Sequence, residues 1–351
     1  MKHVMVMAGM MSLISGMLTA QTATLNKIKD RTTTVKQGIE DKSAAHEALI
    51  ADKFTRLEKR IKLIWDKIDK TTRFDYVDYS EDAKQKTKVA FEEGFVMVEV
   101  IDSAKQENKQ VMLANIDSRI KEARRDKDPA GIQYLKDQVA DTDVSAAKPV
   151  RTVYTAADGE AKVKYSVSVP LKKDSMVKRA EQYLPIVLQY SQKHGIPADL
   201  TLAIIETESA FNPYSDNGIA YGLMQLVPDS ASDASKTAYG TKRAYSIPQL
   251  KHPETSIALG TALLNQFYTW KAYFAPFEQY SYKHQMMGVA GYNCGPNRVR
   301  RWIDANKGML NASDAVFLKS LTAAVPYETQ RYLVKIPDRR PKYAALVAAA
   351  R

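Results

Sequence analysis

The spacing of apolar residues changes along the chain, and in the first region, residues 21–71, it predicts a helix. Within residues 21–71, apolar residues recur at alternating intervals of four and three, which is typical of one face of a long helix. The stripe consists of Ile50, Phe54, Leu57, Ile61, Ile64 and Ile68. We expect this helix to pack on its own chain. The alternative is that the 50–68 heptad stripe pairs with a second copy or with a partner.

Strand patterns follow the helix. Aromatic and β-branched residues are enriched in RFDYVDY (73–79), FVMVEVI (95–101) and VRTVYT (150–155). The segment KVKYSVSVPL (162–171) alternates apolar and polar residues and follows the turn AADGE, which predicts a β-hairpin. Residues 107–140 are polar and compatible with a helix. Residues 72–171 therefore predict a small N-terminal α+β accessory domain.

After Pro170 only helix patterns remain. One helix is predicted over Met176–His194, with a kink at Pro185 and a C-cap at Gly195. A second covers Leu200–Ser209, with Asp199 as its candidate cap. Further helices are predicted at 229–237, 254–270, 284–292, 296–306, 313–324 and 327–335. Residues 172–351 are predicted to be an all-α domain, so the fold class of the chain is α+β.

The charge and the cysteine content of the chain limit the partners and the kinds of site that we expect. The net charge is +11, and residues 146–351 carry 26 Lys and Arg against 16 Asp and Glu. This basic half should attract an anionic partner such as an acidic cell-wall polymer, a membrane surface or a nucleic acid. The basic residues are not interleaved with aromatics in a recognisable module, so nucleic acid is not expected. Cys294 is the single cysteine, and the five histidines lack ligand spacing, so we expect no disulfide, metal or cofactor.

The first twenty residues have the pattern of a secretory signal peptide. Lys2 and His3 precede an apolar run from Val4 to Leu18, which small residues ending at Ala20 close. We expect export to the periplasm with cleavage near Ala20, and retention as a membrane anchor is the alternative. No cysteine follows the apolar run, so a lipoprotein is not expected.

The segment TLAIIETES (201–209) is a candidate site because it ends an apolar helix with two carboxylates. Such a helix is buried, and burial raises the pKa of a carboxylic acid toward neutrality, as a general acid requires. The alternative is that Glu206 and Glu208 are solvent-facing residues at a helix end. Periodicity alone does not choose between the two glutamates.

Four motifs extend this candidate site. ES followed by FNPY begins at Glu208, GLMQ spans 222–225, YNCG spans 292–295 and ETQRY spans 328–332. Their order resembles that of the family 1 lytic transglycosylases, whose SLT domain has a goose-type-lysozyme-like fold. Within that family the chain is most similar to the membrane-bound lytic murein transglycosylase C group. The resemblance covers about 72–340.

The resemblance implies roles for particular residues. Glu208 would be the catalytic acid, supported by Ser209, and Tyr332 would reach it by its hydroxyl. The remaining implied substrate-binding residues are Ser215, Met224, Gln225, Tyr292 and Asn293. The alternatives are that Met224 and Tyr292 are packing residues, that Asn293 is a turn residue and that Asp216 replaces Ser215. We expect Glu328 to be an ion-pair partner and not a second catalytic carboxylate, and Glu254 to be a charge at a helix N-terminus and not a site residue. The chain departs from the family at Gly291 and Gln330, where Ala and Arg are common.

The implied activity is non-hydrolytic cleavage of peptidoglycan between N-acetylmuramic acid and N-acetylglucosamine, giving 1,6-anhydro ends. One glutamate would serve as acid and then base. A hydrolysing muramidase on the same fold is one rival. A non-catalytic protein that binds or scaffolds the cell wall, with outer-membrane or wall association, is a rival of another class.

Overall fold

The computed structural model describes residue 49 and residues 52–141, 143–144 and 147–350. The chain divides into two units, residues 1–63 and 64–351. The predicted signal segment, 1–20, lies outside the described residues. Residues 52–64 are helical, with Ile61 buried and Phe54 exposed. Residues 65–74 are not helical, so the heptad position Ile68 lies beyond this helix.

The second unit begins with a five-stranded antiparallel sheet. Its strands are β1 (Asp75–Tyr79), β2 (Gln85–Ala90), β3 (Phe95–Ser103), β4 (Val150–Thr155) and β5 (Ala161–Pro170). Their order is β1-β2-β3-β5-β4, and Val98 of β3 stands opposite Val167 of β5. Helix α1 (Lys109–Arg125) buries Met112, Ile116, Ile120 and Ala123 in the same core as the buried strand residues. The four alternating apolar residues of β5 are all buried, as predicted.

Strand β2 was not predicted, because its sequence QKTKVA contains two lysines. The Lys86 side chain is nonetheless buried, and its ammonium group pairs with Asp69 and Glu99. It also lies 4.7 Å from the ring centroid of Trp65. Paired carboxylates and an aromatic face offset the cost of burying this charge, which a hydrophobicity pattern does not reveal.

The rest of the second unit is helical, as predicted. The helices are α2 (Ser175–His194), α3 (Ala198–Ser209), α4 (Pro228–Tyr239), α5 (Ile247–Lys251), α6 (Pro253–Thr269), α7 (Ser281–Cys294), α8 (Pro296–Ala305), α9 (Asp314–Ala324) and α10 (Tyr327–Ala349). Short 3₁₀ helices occupy Ala104–Gln106, Ala275–Tyr280 and Lys307–Asn311. The fold class α+β is confirmed.

Several helix details differ from the prediction. Pro197, not Asp199, precedes α3 as its N-cap, and Asp199 lies in the first turn, where Arg340 pairs with it at 2.7 Å. Helix α5 was missed because it is only five residues long. Helix α10 was expected to stop before Pro337, yet it continues through that residue and Pro341 to Ala349. Packing of α10 against α3 outweighs the backbone bonds that the prolines remove.

Helix α3 lies at the centre of the helical region. Every residue from Leu200 to Ser209 is buried. Helix α2 packs on one side and α10 on another. Gly195 ends α2 in the left-handed conformation, as predicted, with φ of +65°. The boundary predicted between residues 171 and 172 falls between β5 and α2, which belong to one unit.

The turn GLMQ requires glycine at position 222. Gly222 has φ of +77°, and a Cβ there would lie 2.1 Å from the main-chain oxygen of Leu250. We expect Gly222→Ala to lower the free energy of unfolding by roughly 2–4 kcal/mol, because left-handed strain and a backbone clash add.

The matched control is Gly240→Ala, since Gly240 has φ of +81° with nothing within 4 Å of a Cβ. It should cost only about 1 kcal/mol. Urea denaturation of both variants measures the difference, and equal losses would refute the proposed close approach.

Candidate active site

The candidate acid Glu208 occupies the last turn of α3. Its side chain is 6% exposed. Two non-glycine residues with positive φ, Ala210 at +50° and Phe211 at +61°, turn the chain sharply after this helix. Backbone strain of this kind is concentrated at functional sites. The turn places the carboxyl of Glu208 at the end of a helix whose surroundings exclude water.

Burial raises the pKa of Glu208 from 4.5 to about 7. The guanidinium of Arg73 opposes this effect and lowers the pKa, as does the hydroxyl of Tyr332, whereas the negative charge of Glu328 raises it further. A carboxyl with a pKa near 7 exists in both protonation states at neutral pH. It can therefore donate a proton and later accept one.

The neighbouring Glu206 is in a different environment, although it is equally buried. Its carboxylate pairs with Lys342 at 2.7 Å and with Arg339 at 3.3 Å. The hydroxyl of Tyr343 donates a third hydrogen bond at 2.7 Å. All three partners belong to α10, so Glu206 joins α10 to α3. A carboxylate held by two cations is suited to structure and not to proton transfer.

Arg73 is the residue of the site that the sequence did not reveal. It precedes β1 in the chain, and its Nη2 lies 2.5 Å from Oε2 of Glu208. Its Nη1 pairs with Glu328 at 2.8 Å, so Glu328 is an ion-pair partner, the favoured interpretation of this residue. The two paired residues Arg73 and Glu208 are 135 positions apart. No spacing or motif in the sequence links them.

The turn after α3 is fixed by hydroxyl groups. Ser209 donates hydrogen bonds to the main-chain oxygens of Ile205 at 3.0 Å and Leu223 at 2.9 Å, which ties α3 to the GLMQ turn. Ser215 donates to the main-chain oxygen of Arg73 at 2.7 Å. Both serines are fully buried. In this structure they hold the backbone around Glu208.

The GLMQ turn presents its main chain to the site. The Met224 side chain is fully buried beside Gly260, which favours its packing alternative. The main-chain oxygen of Met224 accepts a hydrogen bond from the Tyr292 hydroxyl at 2.7 Å. Gln225 has φ of +47°, and its Oε1 is buried without a hydrogen-bond partner within the described part of the chain. This oxygen is an unused acceptor close to the site.

Two further predicted residues come from α7 and α10. Asn293 accepts a hydrogen bond from the Thr329 hydroxyl at 2.6 Å, which joins these two helices. The buried Tyr332 hydroxyl lies next to Glu208 and lowers its pKa, yet it completes no hydrogen bond of good geometry with any described residue. The structure thus brings Glu208, Tyr332, Tyr292 and the GLMQ turn together.

A groove runs past this cluster. Its lining comes from the segment before β1, the turn between β2 and β3, α3 and α10. The lining residues are Arg73, Phe74, Glu92, Thr207, Tyr327, Glu328, Arg331, Tyr332 and Lys335. Tyr327 is 73% exposed. Among the described residues, no group of three or more His, Cys, Asp or Glu could hold a metal ion.

The raised pKa of Glu208 makes the stability of the protein depend on pH. The folded state binds this proton more tightly than the unfolded state, so the stabilisation is complete below pH 4.5 and is lost as pH rises through about 7. Glutamine mimics the protonated form. We expect the stability of Glu208→Gln, relative to the parent, to increase by roughly 3 kcal/mol between pH 4.5 and pH 8.

Urea denaturation of both proteins at the two pH values gives this difference, in which the other titrating groups cancel. Glu206→Gln serves as the comparison, because it leaves the cations of α10 unpaired and should be destabilising at neutral pH. A Glu208→Gln difference that does not change with pH would contradict the dry environment assigned to Glu208.

The chain is similar to known proteins over much of its helical region. Residues 185–313 match the transglycosylase SLT domain family. This range contains Glu208, the GLMQ turn and the pair Tyr292–Asn293, whereas Arg73 and Tyr332 lie outside it.

Relatives extend the similarity beyond that domain. The membrane-bound lytic murein transglycosylase C of Klebsiella pneumoniae subsp. pneumoniae is 27% identical over 296 residues, which cover 77% of this chain and 81% of the relative. That of Pectobacterium atrosepticum is 34% identical over 186 residues, 51% of each chain. Among solved structures, the 70 kDa soluble lytic transglycosylase of Escherichia coli is 28% identical with a TM-score of 0.40, covering 49% of this chain and 26% of that one. The predicted resemblance to the family 1 lytic transglycosylases, with membrane-bound lytic murein transglycosylase C among the similar proteins, is confirmed, and the match to the transglycosylase SLT domain family covers residues 185–313.

Proposed function

We propose that this protein is a peptidoglycan lytic transglycosylase in which Glu208 acts first as acid and then as base. The observation that carries the proposal is the Glu208 carboxyl, buried at the end of α3 with a pKa of about 7. It begins the first of four motifs, and the first three lie within the matched SLT domain. The similar proteins from Klebsiella and Pectobacterium are named as murein transglycosylases.

The proposed reaction begins with proton donation. Protonated Glu208 gives its proton to the oxygen that joins N-acetylmuramic acid to N-acetylglucosamine, and the bond from that oxygen to the anomeric carbon breaks. The substrate's own acetamido group stabilises the cationic carbon. A second enzyme carboxylate is therefore not required, in contrast to glycosidases that use a pair of them.

The second step returns the proton. The carboxylate of Glu208 takes the proton from the 6-hydroxyl of the muramyl residue, and the hydroxyl oxygen bonds to the anomeric carbon. The product is a 1,6-anhydro end, and no water is consumed. A pKa of about 7 suits both steps, because the acid and its conjugate base are then close in free energy at neutral pH.

The surrounding residues have supporting roles in this proposal. The Tyr332 hydroxyl, which has an unused hydrogen-bonding capacity, would orient the carboxyl of Glu208. Gln225, which follows Met224 in the GLMQ turn, would line the sugar cleft. Tyr292 and Asn293 would form the opposite wall, and the main-chain oxygen of Met224 would hold Tyr292 there. Ser209 and Ser215 would hold the backbone around Glu208 and Arg73. The net charge of +11 favours a glycan that carries lactyl and peptide carboxylates.

Two rival functions remain testable. A hydrolysing muramidase would need an activated water. Glu328, the carboxylate that influences the pKa of Glu208, is held in an ion pair by Arg73. A non-catalytic wall-binding protein would not need a carboxyl with a raised pKa. Both observations support the lyase.

The cell envelope is the proposed location. The apolar run from Val4 to Leu18 supports export, and the similar proteins are named as membrane-bound. Within the part of the chain that the structure describes, no helix is long and apolar enough to cross a membrane.

Replacement of the acid tests the proposal. On purified peptidoglycan, the parent should release muropeptides with 1,6-anhydro-muramic ends, one water lighter than hydrolysis products. Glu208→Gln should slow this release by about 10²–10⁴-fold, because the proton donor is lost. Mass spectrometry of the soluble products measures both quantities.

Glu254→Gln is the matched control, since Glu254 is a carboxylate of α6 whose described contact is the Tyr190 hydroxyl at 2.7 Å. It should release products at the parent rate. Reducing-end products from the parent would favour the muramidase. A Glu208→Gln variant as active as the parent would refute the role of Glu208.

A further inference from the structure

Arg73 lies outside the matched SLT domain, yet its guanidinium reaches the end of α3. Its Nε donates to the main-chain oxygen of Glu208 at 2.7 Å, and its Nη2 donates to that of Thr207 at 3.4 Å. These carbonyls belong to the last turn of the helix, where carbonyl oxygens have no partner within the helix. The same guanidinium contacts the Glu208 carboxyl. One side chain therefore fixes both the main chain and the carboxyl of Glu208.

The backbone of Arg73 is itself held by the loop that follows the first motif. Ser215 donates to the main-chain oxygen of Arg73 at 2.7 Å. The main-chain nitrogen of Asp216 donates to the oxygen of Thr72 at 3.3 Å. Three residues further on, Tyr76 of β1 stacks on Tyr214 with ring centroids 4.2 Å apart. The position of the guanidinium is thus set by contacts on both sides of the loop.

The surroundings make this ion pair strong. The side chains of Arg73 and Glu208 are only 22% and 6% exposed, so water screens their attraction weakly. The carboxyl also lies at the negative end of the α3 dipole, which disfavours its ionised form. A guanidinium at this position stabilises the ionised carboxylate and so opposes the effects of both burial and the helix dipole. Arginine suits the task because its planar group donates several hydrogen bonds in a fixed geometry.

We propose that Arg73 is a positioning residue for the reaction described above: it fixes the Glu208 carboxyl and stabilises the carboxylate that remains after proton transfer. This inference rests on the proposed function of Glu208. It also assigns a part of the active site to the sheet region, because Arg73 enters from the segment that leads into β1. The SLT domain alone, residues 185–313, does not contain this charge.

The charges around Glu208 predict how its pKa changes when one of them is removed. The titratable groups that influence its pKa are Arg73, Glu328 and Tyr332, and Tyr292 lies near enough to feel its charge. Arg73 lowers the pKa of Glu208, so its removal should raise this pKa. Glu328 raises the pKa, so its removal should act in the opposite direction. The basic limb of the activity profile reports the pKa of the acid.

The test is the pH dependence of the release of 1,6-anhydro products by Arg73→Gln, Arg73→Lys and Glu328→Gln. In Arg73→Gln the basic limb should move to higher pH, and kcat at pH 6 should fall about tenfold or more, because the conjugate base loses its counter-charge. KM should change little. Arg73→Lys keeps the positive charge but lacks the planar guanidinium with its several donors. The basic limb of its pH profile should therefore stay near that of the parent, while kcat falls.

Glu328→Gln should move the basic limb to lower pH. Glu328 is 66% exposed, so this variant is expected to fold even where Arg73→Gln is damaged. Arg151→Gln is the matched control, because Arg151 also binds a carboxylate, Glu107, through two hydrogen bonds on the sheet. It should retain the parent profile.

Three outcomes would overturn the proposal. An Arg73→Gln profile with an unchanged basic limb would reduce Arg73 to a structural role. Higher activity of Arg73→Gln at all pH values would mean that Arg73 blocks the groove. A basic limb that moves the same way in Arg73→Gln and Glu328→Gln would exclude charge as the cause. Retained activity in Glu208→Gln, by contrast, would refute the proposed function itself and not this inference alone.

Discussion

The site depends on the burial of one carboxyl, that of Glu208, against one guanidinium, that of Arg73. Burial alone favours the protonated acid, and an isolated carboxylate would be costly in such surroundings. The guanidinium makes the ionised state attainable without drawing water into the site. The result is a pKa of about 7, which lies between that of an exposed glutamate and that of one buried without a partner. Proton transfer in both directions at neutral pH follows from this balance.

The Arg73–Glu208 pair also constrains how the sheet packs on the helical region. Because Arg73 precedes β1, the sheet and the helical region must keep a fixed relation if the pair is to persist. Tyr76 and Tyr214 stack across this junction, and such ring pairs contribute about 0.5–1.5 kcal/mol beyond the area they bury. Arg179 of α2, fully buried, donates to the main-chain oxygen of Phe91 at 3.0 Å and thereby joins the sheet region to α2 as well. The sheet is therefore integrated with the site and does not act only as a spacer.

The two glutamates of α3 show how burial can be put to different uses. Glu206 meets Lys342 and Arg339, whose pairing with it fixes α10 on α3. Glu208, two residues later, pairs with Arg73 and lies next to the hydroxyl of Tyr332. Positions two apart on a helix point in different directions, so neighbours in sequence meet different partners. Helix α3, which carries the proposed acid Glu208, is thus stabilised by Glu206.

The sequence was informative where local pattern determines structure. The alternation of Val163, Tyr165, Val167 and Val169 predicted β5, and the apolar run ending at Glu208 predicted a buried helix. The hydrophobic pattern did not predict elements in which residues distant in the sequence offset the cost of burying a charge. Lys86 is acceptable in β2 only because Asp69 and Glu99 pair with it.

The same limit applies to the site. Periodicity could not choose between Glu206 and Glu208, because their difference lies in contacts with α10 and with Arg73. Motif resemblance indicated Glu208 and Tyr332, which the structure brings together. Arg73 was missed, since a residue 135 positions from its partner leaves no periodic signal. The packing alternative for Met224 is favoured by a contact that the sequence does not reveal, because Gly260 has no side chain and leaves room for that of Met224 in the core.

The most direct measurement is a titration of the Glu208 carboxyl by NMR, with the carboxyl carbons of glutamate labelled. The resonance that is absent from Glu208→Gln identifies the residue. Because Glu208 is buried beside Arg73, we expect this resonance to titrate with a pKa of about 7. A midpoint near 4.5, the ordinary value for glutamate, would mean that water reaches the carboxyl, and it would contradict the central claim.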